Sequence, residues 1–215
     1  MATDEQKKFQ IGESLSFGWT NLKTNFLPVS VFVIITMLIS MAPNIITMSD
    51  PESPMLSLIS AVVSIILGVF VQIIIYKSGL LFIDKGAISI GEITPEFSKF
   101  VNLLLGSLLY GLIVFGGLIL LIIPGIIFAL KYGFYGYLIV DQNLGPLEAI
   151  KKSGEITKGS KFDLFIFALL SGVIIFAGLV AFIIGIIPAA GIIYVAWASI
   201  YRKLILQETH NTVRA

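Results

Sequence analysis

The chain has 215 residues, of which 57% are hydrophobic and 13% are charged, and its mean hydropathy is +0.99. A soluble domain carries roughly 25% charged residues, so this composition predicts an integral membrane protein. A formal net charge of +1 argues against nucleic acid as a partner, and the lack of cysteine excludes disulfides, thiolate nucleophiles and cysteine metal sites.

Long apolar runs fill the sequence between two polar ends. Because a bilayer core about 30 Å thick needs about 20 apolar residues per helix, we expect an all-α, polytopic transmembrane helical bundle. It would be a single integral membrane domain, 1–215, with a cytoplasmic tail and interfacial helix in 1–26, the bundle in 27–201 and a second cytoplasmic tail in 202–215. Residues 1–26 lack a signal-peptide pattern, so the first span itself is expected to direct insertion.

Six spans are predicted, arranged as three hairpins. The fourth and sixth runs are short, so these two segments could instead be tilted hairpin arms that do not cross fully. In chain order the predicted spans are 27–46, 55–76, 101–123, 126–140, 162–184 and 189–201.

Two amphipathic segments are predicted to lie as interfacial helices before a span. In 11–24 the apolar residues recur on one helical face and include a tryptophan suited to the headgroup level. In 146–158 a proline occupies a plausible first helical position and Gly159 follows as a breaker. The apolar face of the first segment consists of Ile11, Leu15, Trp19, Leu22 and Phe26.

The placement of basic residues predicts the orientation. Of the 14 Lys and Arg residues, all but Lys131 lie in the N-terminal tail, in 77–100, in 141–162 or at the C-terminal end. The three intervening turns have none. Because short loops rich in Lys and Arg stay in the cytoplasm, both termini are expected there.

The three hairpins could be copies of one unit, because each has a proline near its outer end. These residues are Pro43, Pro124 and Pro188, and the strings that end at the last two are similar. Chance similarity between apolar segments is the alternative. Small residues at four-residue spacing predict close helix packing within the bundle, or a homo-oligomer face.

The sequence offers little that could support catalysis. His210, the single histidine, lies in the polar C-terminal segment, and the carboxylates lie in loops or near span ends. No pattern typical of a metal site, a catalytic triad or a phosphate-binding loop is present. We therefore expect no catalytic residues, no metal and no cofactor.

Five lysines are the candidate ligand contacts. Lys131 is the one charge inside a predicted span, where a charge costs about 2.5–3.5 kcal/mol. It could bind an anionic headgroup from a polar crevice, or extend to the membrane surface. A basic cluster in 141–162 could contact anionic lipids or simply set the topology. Its members are Lys151, Lys152, Lys158 and Lys161.

The string PGIIFALKYGFYGYLIVDQNLGPLEAIKKSGEITKGSKFDLF (124–165) resembles a known family. It is similar to the membrane domain of glycerophosphodiester phosphodiesterases and to related stand-alone, multi-pass prokaryotic proteins of unknown function. The resemblance implies architecture and a prokaryotic plasma membrane, while the enzymatic activity of the fused members belongs to a separate soluble domain. The matching positions with an expected structural role are Pro124, Gly125, Asp141, Ser153 and Gly159; Lys131, Ala149 and Lys158 also match.

These observations predict a non-enzymatic integral membrane protein, either a lipid-contacting scaffold or a component of membrane homeostasis. A small-solute or lipid transporter is the alternative, because proline-interrupted hairpins could surround a central site. The position of Lys131 discriminates between them: a closed polar cavity with Gln72 or tyrosine hydroxyls favours transport, and the lipid–water boundary favours a scaffold. Expected partners are membrane lipids, with a second copy of the chain or another membrane protein as further alternatives.

Overall fold

The structure, a computed structural model, describes residues 9–86, 96–180 and 185–214. These residues form α-helices joined by short turns, with no strand among them. In chain order the helices are α1 (Ile11–Thr24), α2 (Phe26–Met41), α3 (Asn44–Thr47), α4 (Pro54–Lys85), α5 (Phe97–Leu120), α6 (Ile122–Tyr132), α7 (Tyr135–Gln142), α8 (Pro146–Ile156), α9 (Lys161–Val180) and α10 (Ile186–Arg214).

Six segments of the described chain are long and apolar enough to cross a membrane, which confirms the all-α, multi-pass bundle. The fourth and sixth have 21 and 25 residues, so both reach the required length. The end of the fifth predicted span, 181–184, lies outside the described residues. The six segments are Phe26–Thr47, Pro54–Lys85, Phe97–Leu120, Ile122–Gln142, Lys161–Val180 and Ile186–His210.

The six spans form a closed ring. Each packs against the next in the order α2, α4, α5, α6, α9 and α10, and α10 packs back against α2. In addition, α4 contacts both α7 and α10. Packed helices therefore fill the interior of one half of the ring.

One end of the bundle carries ion pairs between helices and is here named the charged end. Arg202 of α10 binds Asp84 of α4 and Asp141 of α7, the latter at 2.8 Å. The Tyr201 hydroxyl donates to the same Asp141 carboxylate at 2.8 Å. Asp141, expected to be structural, thus joins α7 to α10.

Buried residues are concentrated in the half of the bundle next to the charged end. Every residue from Tyr135 to Val140 is buried. At the opposite end Leu120 and Ile123 are 76% and 70% exposed. The opposite half therefore depends on acyl chains for solvation, as expected of helices that span a bilayer.

The turn predicted at Pro124-Gly125 lies slightly earlier in the chain. The backbone reverses at Leu121, which is extended, and α6 begins at Ile122. Pro124 therefore sits in the first turn of α6, where its missing N–H removes no helical hydrogen bond. Gly125 is buried against α5, and a Cβ on Gly117 would lie 2.9 Å from its Cα.

The last hairpin repeats this arrangement. Pro188 is likewise the third residue of its helix, α10. The residue after it, Ala189, would lie 2.9 Å from a Cβ on Gly178 of α9. The similar strings around Pro124 and Pro188 therefore occupy equivalent positions, while Pro43 precedes the short helix α3 and its carbonyl accepts the Ser60 hydroxyl at 2.8 Å.

The predicted helix at 11–24 forms as α1, and it packs along α10. Its buried residues are Ser14, Gly18 and Leu22, and a Cβ on Gly18 would lie 2.5 Å from the Ile192 carbonyl oxygen. Trp19 is 49% exposed. The predicted apolar face is therefore not wholly directed to lipid: Leu22 is buried with the small residues, and Ile11 and Leu15 pack against the core, while Trp19 is left uncovered.

We predict that Gly117→Leu destabilises the fold by about 1–3 kcal/mol, because the new side chain must displace α6. Thermal unfolding of the detergent-solubilised protein measures the change. Gly111→Leu is the matched control on the same helix, since a Cβ there meets nothing within 4 Å. Equal losses in the two variants would contradict the tight α5–α6 contact.

Candidate functional site

The fourth span is interrupted between α6 and α7 at Gly133 and Phe134, here named the helix break. An interruption inside a membrane span frees backbone groups that lipid cannot satisfy. Three such groups find partners on other helices. The Tyr110 hydroxyl of α5 donates to the Ala129 carbonyl at 3.2 Å, and α8 supplies the partners of the other two.

The Ser153 hydroxyl of α8 bridges the helix break, and the hydroxyl of Thr157, the residue directly after α8, contacts one side of it. The Ser153 hydroxyl donates to the Lys131 carbonyl at 3.0 Å and accepts the Phe134 N–H at 3.1 Å. The Thr157 hydroxyl lies 3.0 Å from the same Lys131 carbonyl. Ser153 and Thr157 are fully buried, so these bonds form where water is excluded and are costly to lose.

The amphipathic helix expected at 146–158 forms as α8, but its apolar face is covered by protein. It packs against α5, α6 and α7. The expected contact of this face with the lipid leaflet is therefore not made. Gly159 ends the segment with φ of +86°, a conformation that glycine adopts without strain. The buried residues are Ala149, Ile150, Ser153 and Ile156.

Lys131 lies beside α8. Its ammonium is 2.9 Å from the Tyr132 hydroxyl and 4.7 Å from the centroid of that ring. Its side chain passes close to Gly154. Lys131 does contact a tyrosine hydroxyl, as the transport hypothesis requires, but this contact lies outside the central cavity and does not involve Gln72.

The four lysines of 141–162 separate into two groups. Lys152 pairs with Glu208 of α10 and lies 3.9 Å from Glu155. The side chains of Lys151, Lys158 and Lys161 are exposed. The five candidate lysines therefore do not converge on one site.

A second ionic cluster joins α4 to α5 at the charged end. Glu96 pairs with Lys77 at 2.9 Å and with Lys99 at 3.1 Å. Hydrogen bonds from these two ammonium groups hold the pKa of Glu96 below its usual value. Because the pKa is lowered on folding, this contribution is present above the ordinary carboxyl pKa and is lost as the pH falls through the lowered one.

A cavity of about 700 Å³ lies at the centre of the ring. Its lining is almost entirely apolar and comes from all six spans. Two lining residues of the opposite half, Met37 and Ile175, are 44% and 42% exposed, so the cavity opens there. One lining residue from each span is Met37, Ile75, Tyr110, Leu130, Ala168 and Ile193.

Aromatic side chains close the cavity toward the charged end. Tyr76, Phe134, Tyr137 and Trp197, here named the aromatic floor, all line it. Tyr76 and Tyr137 have ring centroids 4.6 Å apart, and Phe134 and Trp197 lie 5.6 Å apart. The rings of Tyr137 and Tyr201 are stacked with their centroids 5.0 Å apart. The Tyr201 hydroxyl in turn bonds the Asp141 carboxylate of the charged end. The floor therefore separates the cavity from the ion pairs.

Sequence reasoning found the residues around the helix break but not the cavity. The resemblance of 124–165 predicts a structural role for Ser153 and Asp141, but it does not predict the bonds that they make. The aromatic floor combines α4, α7 and α10, so no periodic pattern within one helix reveals it. The available signal was the density of tyrosine after Lys131, at Tyr132, Tyr135 and Tyr137.

Fold and site together define a multi-pass α-helical membrane protein with a central apolar cavity. No family model, curated protein or solved structure matches the chain. Within the described ranges, no group of His, Asp and Glu side chains is arranged to hold a metal ion.

We predict that Ser153→Ala destabilises the bundle by about 1–3 kcal/mol, because it leaves the buried Phe134 N–H without a partner. Denaturation in detergent, followed by helical circular dichroism, measures the loss. Ser171→Ala is the matched control, since among the described residues that buried hydroxyl bonds only the Phe167 carbonyl of its own helix. If the two variants unfold alike, the Ser153 hydroxyl does not hold the helix break.

Proposed function

We propose that this chain is a non-enzymatic, lipid-binding protein of a prokaryotic plasma membrane, which holds the hydrophobic chain of a lipid in its central cavity. The role would be that of a scaffold or a component of membrane homeostasis. The observation that carries the proposal is the cavity itself, because it is apolar, lies among membrane spans and opens on the lipid-exposed half.

The dimensions of the cavity suit an acyl or isoprenoid chain. Ile186 and Trp197 line its two ends. They are 11 positions apart in α10, or about 16 Å at 1.5 Å per residue. That depth is about half of a hydrocarbon core of 30 Å, so one lipid chain could enter from the leaflet at the opposite end. An empty apolar cavity of this size would forfeit packing energy in its lining.

The exposed lysines support a second kind of lipid contact. Lys151, Lys158 and Lys161 project from the charged end beside two exposed apolar residues, Leu147 and Phe162, at 64% and 74%. Near an anionic leaflet each base contributes about 1 kcal/mol. We propose headgroup contacts for these three lysines. Lys131 and Lys152 are already engaged within the protein.

The proposed orientation places the charged end and both termini in the cytoplasm, following the distribution of basic residues. The chain has no cysteine, so single cysteines report accessibility directly. A membrane-impermeant maleimide applied to intact cells is expected to label Ser49→Cys, in the turn between α3 and α4. Lys158→Cys should react only after the cells are permeabilised, and labelling of Lys158→Cys in intact cells would reverse the orientation.

A small-solute or lipid transporter is the second candidate, because discontinuous helices often surround transport sites. Against it, the backbone groups freed at the helix break are bonded by Ser153, Thr157 and Tyr110, so they are not free to coordinate a substrate. Transport would be supported if proteoliposomes moved a labelled lipid between leaflets faster than protein-free vesicles.

The cavity is tested by filling it. We expect Ala168→Trp to reduce the lipid that remains bound after purification to well under half, measured by native mass spectrometry. Ala177→Trp, on the exposed side of the same helix, should retain the lipid of the unmodified protein. Equal retention in both variants, with Ala168→Trp folded, would refute chain binding in the cavity.

A further inference from the structure

Two polar groups in the cavity lack a partner within the described part of the chain. They are the hydroxyls of Tyr76 and Tyr137, both in the aromatic floor. Tyr137 is only 5% exposed. Even so, neither of the two hydroxyl oxygens is fully enclosed by the described residues. Because both residues line the cavity, their hydroxyls are accessible from it.

The other cavity tyrosines have partners. The Tyr110 hydroxyl donates to the Ala129 carbonyl, and the Tyr194 hydroxyl is paired with Ser78. A buried hydroxyl without a partner costs about 1–3 kcal/mol, so two such groups in one apolar cavity point to a bound molecule that completes them.

The depth of these hydroxyls restricts the charge of that molecule. Tyr76 lies eight positions before Asp84 in α4, or about 12 Å inward from the charged end. In a hydrocarbon core of about 30 Å, the floor is therefore close to the middle of the bilayer. No charged side chain lines the cavity within the described residues. A charged headgroup would be neither solvated nor neutralised there.

We infer that the cavity selects an apolar chain that ends in an uncharged carbonyl group, such as an ester or a quinone. The carbonyl accepts hydrogen bonds from Tyr76 and Tyr137, and the chain extends along the cavity toward its mouth. This inference rests on the proposed chain binding and adds the class of head group. An anionic phospholipid headgroup is excluded from this site and is left to the lysines at the surface.

Trp197 gives a direct readout, because it is part of the aromatic floor. The chain has two tryptophans, so Trp19→Phe leaves Trp197 as the only tryptophan, and excitation at the red edge of the absorption band selects it over tyrosine. The probes share a single hexadecanoyl chain brominated close to the head, where bromine quenches tryptophan on contact. Their heads are a methyl ester, a free carboxylate and a lysophosphatidylglycerol, compared at a pH where the carboxylate is ionised.

The ester probe is expected to quench Trp197 saturably, at a half-saturating concentration at least about tenfold below those of the two anionic probes. Tyr76→Phe and Tyr137→Phe should each raise the ester value by about two- to tenfold. Tyr132→Phe, whose hydroxyl contacts Lys131 outside the cavity, should leave it unchanged.

The contrary outcomes are distinct. If all three probes quench alike, or if neither tyrosine variant affects the ester, the head-group inference is wrong and chain binding stands. If no probe quenches saturably, both the inference and the proposed function fail. Should Tyr137→Phe fail to fold, Tyr76→Phe and the comparison of heads on the parent protein decide the matter.

Discussion

The structure depends on one requirement of the bilayer: a backbone polar group inside hydrocarbon must be bonded within the protein. The fourth span breaks at Gly133 and Phe134, and Ser153 of α8 supplies one hydroxyl that bonds two of the freed groups. Those bonds explain why an amphipathic helix that could lie on the membrane instead packs against α5, α6 and α7. Since Ser153 and Thr157 are fully buried, the docking of α8 and the shape of the fourth span are a single constraint.

The break also sets the division between the two halves of the bundle. It redirects the chain so that every residue of Tyr135–Val140 is buried, which places Tyr137 against Tyr201 and brings Asp141 to Arg202. One side of this aromatic layer therefore carries ion pairs, and the other side is the apolar cavity.

Hydropathy predicted the six spans, because bilayer thickness fixes the length of a crossing helix. The helix break was not predictable, since its bonding partner Ser153 lies 19 positions beyond Phe134 and an isolated Gly133 gives no specific signal. The candidate lysines were grouped by proximity in sequence, but Lys152 finds Glu208 and Lys131 finds Tyr132. Such partners depend on tertiary packing. The cavity also could not be predicted, because each span contributes only a few residues to it.

The same constraint explains what the cavity offers a ligand. A discontinuous span in a transporter exposes its free carbonyl and N–H groups to a substrate, whereas here the groups at the break are bonded by Ser153, Thr157 and Tyr110. The polar groups left unpaired in the described lining are the two hydroxyls of Tyr76 and Tyr137. A site with two hydroxyls and no charge, enclosed by apolar side chains, cannot solvate a charged head group. It therefore discriminates between ligands mainly by the charge of the head group. Selection against charged head groups therefore follows from the way the chain stabilises its own break.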